Sequence, residues 1–265
     1  MAVQTGGLLA GEADPVIVVN GEGRSPVLLV CEHAGKVIPA SLNHLGLPES
    51  ELSRHIAWDI GAEPMARRIA RHLDAPLILQ RYSRLVYDCN RPPESPGAMP
   101  EVSETTAIPG NRDLSPEARQ ARTEALYLPF HAAVKAAIDG KLSRGITPAI
   151  VTLHSFTRVF KGVERTVELG LLFDADARLA HLMMDEMGRA HPAVATRLNE
   201  PYGPADGVAH TLNLHGNSRG LANVMIEVRN DLIADEKGQE DWAGLLAKLI
   251  TTALARLGGA EKQSA

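Results

Sequence analysis

The sequence predicts an α/β fold, a three-layer α/β/α sandwich around a mostly parallel or mixed central sheet. Short β-rich runs alternate with longer amphipathic segments, which is the pattern of helices packed on both faces of one sheet. Several of the β-rich runs are almost continuously apolar, as is typical of strands that are covered on both sides. The 265 residues include 45% hydrophobic and 22% charged side chains, ordinary values for a folded globular protein.

Seven runs are predicted to form strands, and four longer segments are predicted to form helices. The first helical segment has apolar residues at near-helical spacing, and the second begins with Ser115 as N-cap and Pro116 at the first helical position. The predicted strands are 16–19, 27–31, 76–80, 84–88, 148–153, 167–173 and 222–228. The predicted helices are 59–73, 116–142, 176–190 and 240–257.

A single domain is expected over residues 15–260, preceded by a flexible N-terminal segment, residues 1–14. Two irregular stretches interrupt the alternation. Residues 90–114 are rich in Pro, Ser, Thr and Gly, and residues 199–220 hold two histidines. Loops this long in a compact domain are usually functional or disordered, and both adjoin predicted strands, where α/β proteins place their sites.

Composition excludes several classes of protein. The net charge of −5 argues against a nucleic-acid partner and an anionic membrane surface, since both normally require basic residues in excess. No secretory signal is recognisable in residues 1–14, and no apolar run reaches the roughly 18–20 residues of a membrane span. We therefore expect a cytoplasmic protein whose two cysteines are free thiols, although two cysteines can also pair or share a metal. The oligomeric state is left open.

Two histidines lie at the C-terminal ends of predicted buried strands. His33 follows the run 27–31 by two residues, and His154 follows directly on the run 148–153. Each alone fits an exposed loop position, but parallel strands would present both imidazoles at the same sheet edge. Two imidazoles and one carboxylate are a common catalytic zinc set, with a fourth position open for water.

Two acidic residues near His33 are candidates for the carboxylate of such a set. Position 36, where an H-x-x-E spacing would place it, holds Lys36. Glu32 precedes His33 directly and would point away from it in extended backbone. Asp59 opens the predicted helix 59–73, where it fits a metal ligand and a helix N-cap equally well.

Glu227 lies inside the apolar strand 222–228, where a buried carboxylate is costly unless it is paired or functional. One interpretation is an ion pair with Arg229, which shares its strand face. The interpretation that we favour is a general base whose pKa is raised by partial burial and which acts on the attacking water.

Polar groups at the start of the long loop 90–114 are candidates for holding a substrate. Arg84 and Arg91 flank this point, and the planar fork of a guanidinium binds a carboxylate bidentately. The candidate substrate-binding residues are Asn90, Arg91, His215 and Arg229.

Six segments stand out as an ordered set of motifs. They are EHAGKVIP (32–39), WDIGA (58–62), SRLVYDCNRP (83–92), LHSFTR (153–158), NEPYGPADGVAHTLNLHG (199–216) and RGLANVMIEVRNDLI (219–233). With this set the chain resembles the N-formylglutamate amidohydrolase family, in its less characterised branch. The resemblance spans about residues 15–235, and the motifs are specific in combination and in order.

The resemblance implies a zinc-exopeptidase-like sandwich with a metal at the C-terminal edge of its sheet, because the family looks related to zinc-dependent exopeptidases and aminoacylases. It would make residues 15–260 a single amidohydrolase domain. The implied metal ligands are His33, Asp59 and His154, the implied general base is Glu227, and the implied substrate-carboxylate pair is Asn90 with Arg91, near Arg84.

The function that the resemblance implies is zinc-dependent hydrolysis of an N-formyl or other N-acyl amino acid, such as N-formyl-L-glutamate, in amino-acid catabolism. Glu227 would move the proton of the attacking water to the leaving amine, and Arg84 or a neighbouring donor would stabilise the oxyanion. Two alternatives stay open. One is a zinc aminoacylase or carboxypeptidase-like enzyme with another substrate, and the other is a metal-free binding module of the same fold.

Overall fold

The computed structural model describes the backbone of residues 7–264 and the side chains of residues 7–259. Most of its strands form one seven-stranded sheet, and four short strands form two separate hairpins. In chain order, the strands of the described part are β1 (Val16–Val19), β2 (Val27–Cys31), β3 (Leu77–Gln80), β4 (Val102–Ser103), β5 (Thr106–Ala107), β6 (Ala149–Phe156), β7 (Val159–Phe160), β8 (Val163–Glu164), β9 (Leu169–Leu172), β10 (Thr196–Leu198) and β11 (Asn223–Arg229).

The large sheet is mixed, with the order β1-β3-β2-β6-β11-β9-β10. Strands β3, β2, β6 and β11 run parallel, whereas β1 is antiparallel to β3 and β9 is antiparallel to β11. This confirms the predicted mostly parallel or mixed sheet. The C-terminal ends of β2, β6 and β11 therefore meet at one edge of the sheet, where α/β proteins place their sites.

Helices cover both faces of the sheet, as the sequence predicts. The helices are α1 (Glu49–Leu52), α2 (Ala62–Leu73), α3 (Pro116–Arg122), α4 (Leu128–Ser143), α5 (Arg178–Ala190) and α6 (Glu236–Ser264). α2, α5 and α6 pack on one face, and α4 packs on the other together with the loops around residues 45–57 and 82–108. Burial of Met65, Ile69 and Ala70 on one side of α2 illustrates the amphipathic pattern that produces these layers.

Two predicted elements differ in the structure. The helix predicted over 116–142 contains a wider π turn at Thr123–Tyr127, directly before α4, whose second residue is Pro129. Because Pro129 has no N–H to donate to a preceding carbonyl, the helix cannot continue there with regular α hydrogen bonds. The strand predicted over 84–88 is a buried turn, since the Ser83 carbonyl accepts the N–H of Val86 and the Ser83 hydroxyl accepts that of Leu85.

The predicted flexible segment 1–14 lies only partly within the described residues, because residues 1–6 are outside them. Its described part packs on the domain. Leu9 is buried in the core, and the Ala13 carbonyl accepts a hydrogen bond from the Tyr82 hydroxyl. The chain thus already follows the domain surface before β1 begins.

Cys31 and Cys89 are buried free thiols, as the sequence predicts. Over residues 7–264, the structure contains no helix with both the length and the apolar character needed to cross a membrane.

Gly35 lets the chain after β2 pack closely against the backbone of Arg81, because a Cβ at position 35 would lie 1.8 Å from the Arg81 carbonyl oxygen. We expect Gly35→Ala to lower the free energy of unfolding by about 3 kcal/mol, the upper end for overpacking, since backbone cannot move aside as a side chain can. Gly140→Ala is the matched control. It lies in α4 with open space around it, so it should gain about 0.5–1 kcal/mol in denaturant unfolding. Equal effects at the two positions would contradict the close contact.

Candidate active site

Three side chains that the sequence separates by up to 121 residues converge at the C-terminal edge of the sheet. His33 follows β2, His154 lies in β6, and Asp59 precedes α2; all three are buried. The Nδ1 atoms of His33 and His154 are 3.2 Å apart. The Asp59 Oδ2 atom lies 2.9 Å from Nδ1 of His154 and 3.4 Å from Nδ1 of His33. The predicted ligand set is therefore one compact group of nitrogen and oxygen atoms.

The other ring nitrogen of each histidine faces a buried carboxylate. His33 Nε2 lies 2.7 Å from Asp88 Oδ1, and His154 Nε2 lies 3.0 Å from Glu32 Oε2. Carboxylates at these positions favour the proton on Nε2, which leaves the Nδ1 lone pairs directed at each other and at Asp59. Three lone-pair atoms this close repel one another unless a metal ion or protons lie between them. The donor set thus fits a metal ion.

The charges at the site also fit a divalent cation. Burial would raise the pKa of Glu32, but His154 lowers it to about 2; Asp59 and Asp88 have lowered pKa values too, because their histidine neighbours outweigh burial. Three ionised carboxylates and one guanidinium, Arg84, leave two uncompensated negative charges when the imidazoles are neutral. Such a buried excess requires a counter-ion or protons on the imidazoles.

Asp59 does not act as a helix cap. The helix α2 begins at Ala62 with Gly61 as its N-cap residue, and no side chain caps it. The Asp59 carboxylate instead contacts His154 and accepts the backbone N–H of Ser155 at 3.3 Å. Of the two interpretations that the sequence leaves open for Asp59, the N-cap is wrong.

Arg84 connects the carboxylates on either side of His33. Its guanidinium lies 2.7 Å from Asp88 Oδ2 and 3.4 Å from Asp59 Oδ1. The buried turn that replaces the predicted strand 84–88 sets the spacing of Arg84 and Asp88, four residues apart. A strand would have separated the two side chains along its length.

Glu227 lies beside His154, because β11 and β6 pair these two residues in register. It is 5% exposed, and its Oε2 atom has no hydrogen-bond partner among the described residues. Burial, with the charge of Asp59, raises the pKa of Glu227 to about 7 against the opposing effect of the histidines. Arg229 pairs with Asp231 at 2.7 Å instead, so the alternative of a Glu227–Arg229 ion pair is wrong.

These groups open into a cavity of about 320 Å³. Of the predicted site residues, it is lined by His33, Asp59, Arg84, Asn90, Arg91, His154 and Glu227. His215 and Arg229 do not line it: Arg229 lies at the end of β11, and His215 contacts the buried His131 at 2.9 Å. Lys36 also lies outside, over the ring of Trp58. The structure thus brings together seven of the nine predicted site residues.

Asn90 and Arg91 join the two irregular stretches at the cavity mouth. The Asn90 side chain accepts the Thr211 N–H at 3.0 Å and donates to the Val208 carbonyl. Arg91 donates to the carbonyl oxygens of Gly207, at 2.7 Å, and Asp206. Both polar atoms of the Asn90 amide thus bind backbone within the protein, whereas the Arg91 guanidinium contacts only neutral oxygens among the described residues and keeps an uncompensated positive charge at the mouth.

Sequence reasoning missed three residues of the site. Asp88 was not considered, Glu32 was expected to point away, and Tyr202, which lines the cavity, was not singled out. The sequence signals for them are an acidic residue within the otherwise apolar run 85–89 and a tyrosine inside the irregular stretch 199–220.

Fold and site together define an α/β sandwich with a candidate metal centre, built from two histidines and an aspartate beside an unpaired glutamate. The family model of N-formylglutamate amidohydrolase matches residues 25–234. The chain therefore belongs to the N-formylglutamate amidohydrolase family, and the resemblance inferred from its motifs is confirmed.

Three individual proteins are similar to this chain. N-formylglutamate deformylase from Pseudomonas putida is 25% identical over 202 residues, which is 72% of this chain and 71% of that protein. The crystal structure of gene product Atu2144 from Agrobacterium tumefaciens matches with a TM-score of 0.91 at 50% identity, over 94% of this chain and 98% of that one. The fold is shared with N-formylglutamate amidohydrolase from Ralstonia eutropha JMP134, with a TM-score of 0.63 at 20% identity over 96% and 100% of the two chains.

Proposed function

We propose that this chain is a zinc-dependent amidohydrolase that cleaves an N-formyl amino acid such as N-formyl-L-glutamate to formate and the free amino acid. The observation that carries the proposal is the convergence of two Nδ1 atoms and one carboxylate oxygen beside the unpaired Glu227. Membership of an amidohydrolase family supports the type of bond, and the P. putida relative's name supports the substrate.

Zinc held by His33, Asp59 and His154 would polarise the amide carbonyl and make water more acidic. Glu227 accepts the proton of the water that adds to the carbonyl carbon, because its carboxylate lines the cavity and its Oε2 atom has no hydrogen-bond partner among the described residues. It then delivers that proton to the nitrogen as the C–N bond breaks. Arg84, held by Asp59 and Asp88, keeps its positive charge beside the reacting groups.

Arg91 binds the carboxylate of the amino acid in this proposal. Its guanidinium lines the cavity at the mouth and has no acidic partner among the residues described. Binding there fixes the amide relative to Glu227, since a bidentate contact determines position and orientation together.

The test is formate release by the purified protein. We expect hydrolysis of N-formyl-L-glutamate, about one zinc per chain, loss of activity with a chelator and recovery on zinc addition. Hydrolysis restricted to N-acetyl amino acids or dipeptides would indicate an aminoacylase or carboxypeptidase-like enzyme. Protein that binds no zinc and hydrolyses none of these substrates would overturn the proposal in favour of a binding module.

Arg91→Lys should raise KM for the formyl amino acid about tenfold or more while changing kcat less. A lysine keeps the charge but loses the planar fork, and one hydrogen bond to a charged group contributes roughly 1.5–3 kcal/mol. Steady-state kinetics measure both constants. Arg112→Lys, at an exposed position outside the cavity, is the control and should leave both unchanged. An unaltered KM in Arg91→Lys would remove Arg91 from substrate binding.

A further inference from the structure

Tyr202 lines the cavity and is paired with a cation that the mechanism above does not use. Arg165 donates through NH1 to the Tyr202 hydroxyl oxygen at 3.0 Å and to the Thr157 carbonyl oxygen at 3.4 Å. The guanidinium also lies over three rings, 4.5 Å from the centroid of Phe160, 4.8 Å from that of Tyr202 and 5.7 Å from that of Phe156. These contacts fix Arg165 against the aromatic wall of the cavity.

The hydrogen bond leaves the Tyr202 proton free to be donated. A phenol that accepts a hydrogen bond on its oxygen still has its own O–H to give. No described residue accepts that proton, and no carboxylate among the described residues pairs with Arg165. The uncompensated charge of Arg165 therefore acts directly on the phenol and strengthens it as a donor.

Tyr202 lines the same cavity as Glu227 and Arg84. Burial, followed by the charge of Glu227, raises its pKa, with Arg165 and Arg84 acting in the opposite direction. A substrate carboxylate placed here would face the carboxylate of Glu227, which is unfavourable. The scissile carbonyl oxygen is neutral before the reaction and becomes negative only as Glu227 takes up the proton of the attacking water and loses its own charge.

We propose that the Tyr202 hydroxyl donates a hydrogen bond to the oxygen of the scissile carbonyl as that oxygen gains negative charge. In this inference, which rests on the proposed amidohydrolase function, Arg165 is a positioning residue that orients and polarises the phenol. Two N–H groups of Arg84 face Asp59 and Asp88, whereas the O–H of Tyr202 has no acceptor among the described residues and is available to a substrate oxygen in the cavity.

The experiment compares Tyr202→Phe with wild type in formate release, with zinc content measured for both. We expect kcat to fall about 100-fold, the scale for removing one such donor, with KM within about threefold. Tyr82→Phe, a buried tyrosine whose hydroxyl binds the Ala13 carbonyl outside the cavity, is the matched control and should leave kcat unchanged. Arg165→Met should lower kcat as well, and Arg165→Lys should restore part of it.

The outcomes separate the two proposals. Wild-type protein that releases no formate overturns the proposed function and this inference together. Active wild type with an unchanged kcat in Tyr202→Phe overturns only the role of Tyr202, and so does a rise in KM above tenfold with kcat preserved, which would make the tyrosine a ground-state substrate contact. As a second readout, Tyr202→Phe should weaken binding of a tetrahedral phosphonate analogue in calorimetry while leaving glutamate binding unchanged.

Discussion

Glu227→Gln is expected to retain zinc and fold but to lower kcat for formate release by about 10²–10⁴-fold, the contribution typical of a positioned general base. The amide of glutamine has the shape of the carboxylate but cannot accept the proton of the attacking water. KM should change little, because Glu227 has no described hydrogen-bond partner whose loss would rearrange the cavity. Formate release and metal analysis on the same preparation measure both quantities.

Glu240→Gln is the matched control, since Glu240 lies in α6 on the outside of the domain and pairs with Arg68 and His72. It should leave kcat at the wild-type value. A Glu227→Gln variant that keeps full activity would exclude Glu227 as the base. A variant that loses zinc would show instead that Glu227 holds the metal site together.

In metal-free protein, we expect the same substitution to raise the free energy of unfolding at neutral and higher pH. The pKa of Glu227 is raised to about 7 in the folded state, above its ordinary value, so ionisation destabilises the fold increasingly as the pH rises towards 7. Gln carries no such penalty. Denaturant unfolding should therefore find the variant more stable than wild type at about pH 8, and the difference should disappear below the unfolded pKa of about 4.3.

The fold could be predicted because burial leaves a direct trace in the sequence. The apolar runs 27–31, 148–153 and 222–228 are the central parallel strands β2, β6 and β11, and parallel strands end at one edge of the sheet. Histidines at the ends of two of these runs and an acid inside the third therefore had to lie near one another. Three of the four central residues follow from this argument alone.

The rest of the site depends on contacts that no local pattern encodes. Asp88 supports His33 from a turn, although the apolar residues 85–87 predict a strand over 84–88, because hydrogen bonds to Ser83 reverse the chain there. The strand β2 ends at Cys31, so Glu32 does not continue its alternation of faces. The Glu32 side chain therefore contacts His154. Arg165 and Tyr202 are 37 residues apart and meet only through the folded loops.

Asp59→Asn tests the residue on which the metal centre depends most, since the sequence alone could not separate ligand from cap. We expect it to bind zinc far more weakly than wild type, because a neutral amide replaces the only carboxylate in the ligand set. Zinc titration of metal-free protein and zinc content after dialysis measure the loss. The fold should persist, because Gly61 rather than Asp59 is the N-cap residue of α2.

The loss of zinc affinity in Asp59→Asn is to be compared with that in Asp88→Asn. The latter substitution removes the carboxylate behind His33 without touching the ligand atoms, and such a change typically weakens metal binding about 10–100-fold. Asp241→Asn, at an exposed position of α6 paired with Lys237, is the matched control and should bind zinc as wild type does.

If Asp59→Asn bound zinc as tightly as Asp88→Asn or more so, Asp59 would be a supporting carboxylate. The third ligand would then have to be sought among the other acids near the two imidazoles, with Glu32 and Glu227 first, because each lies beside His154.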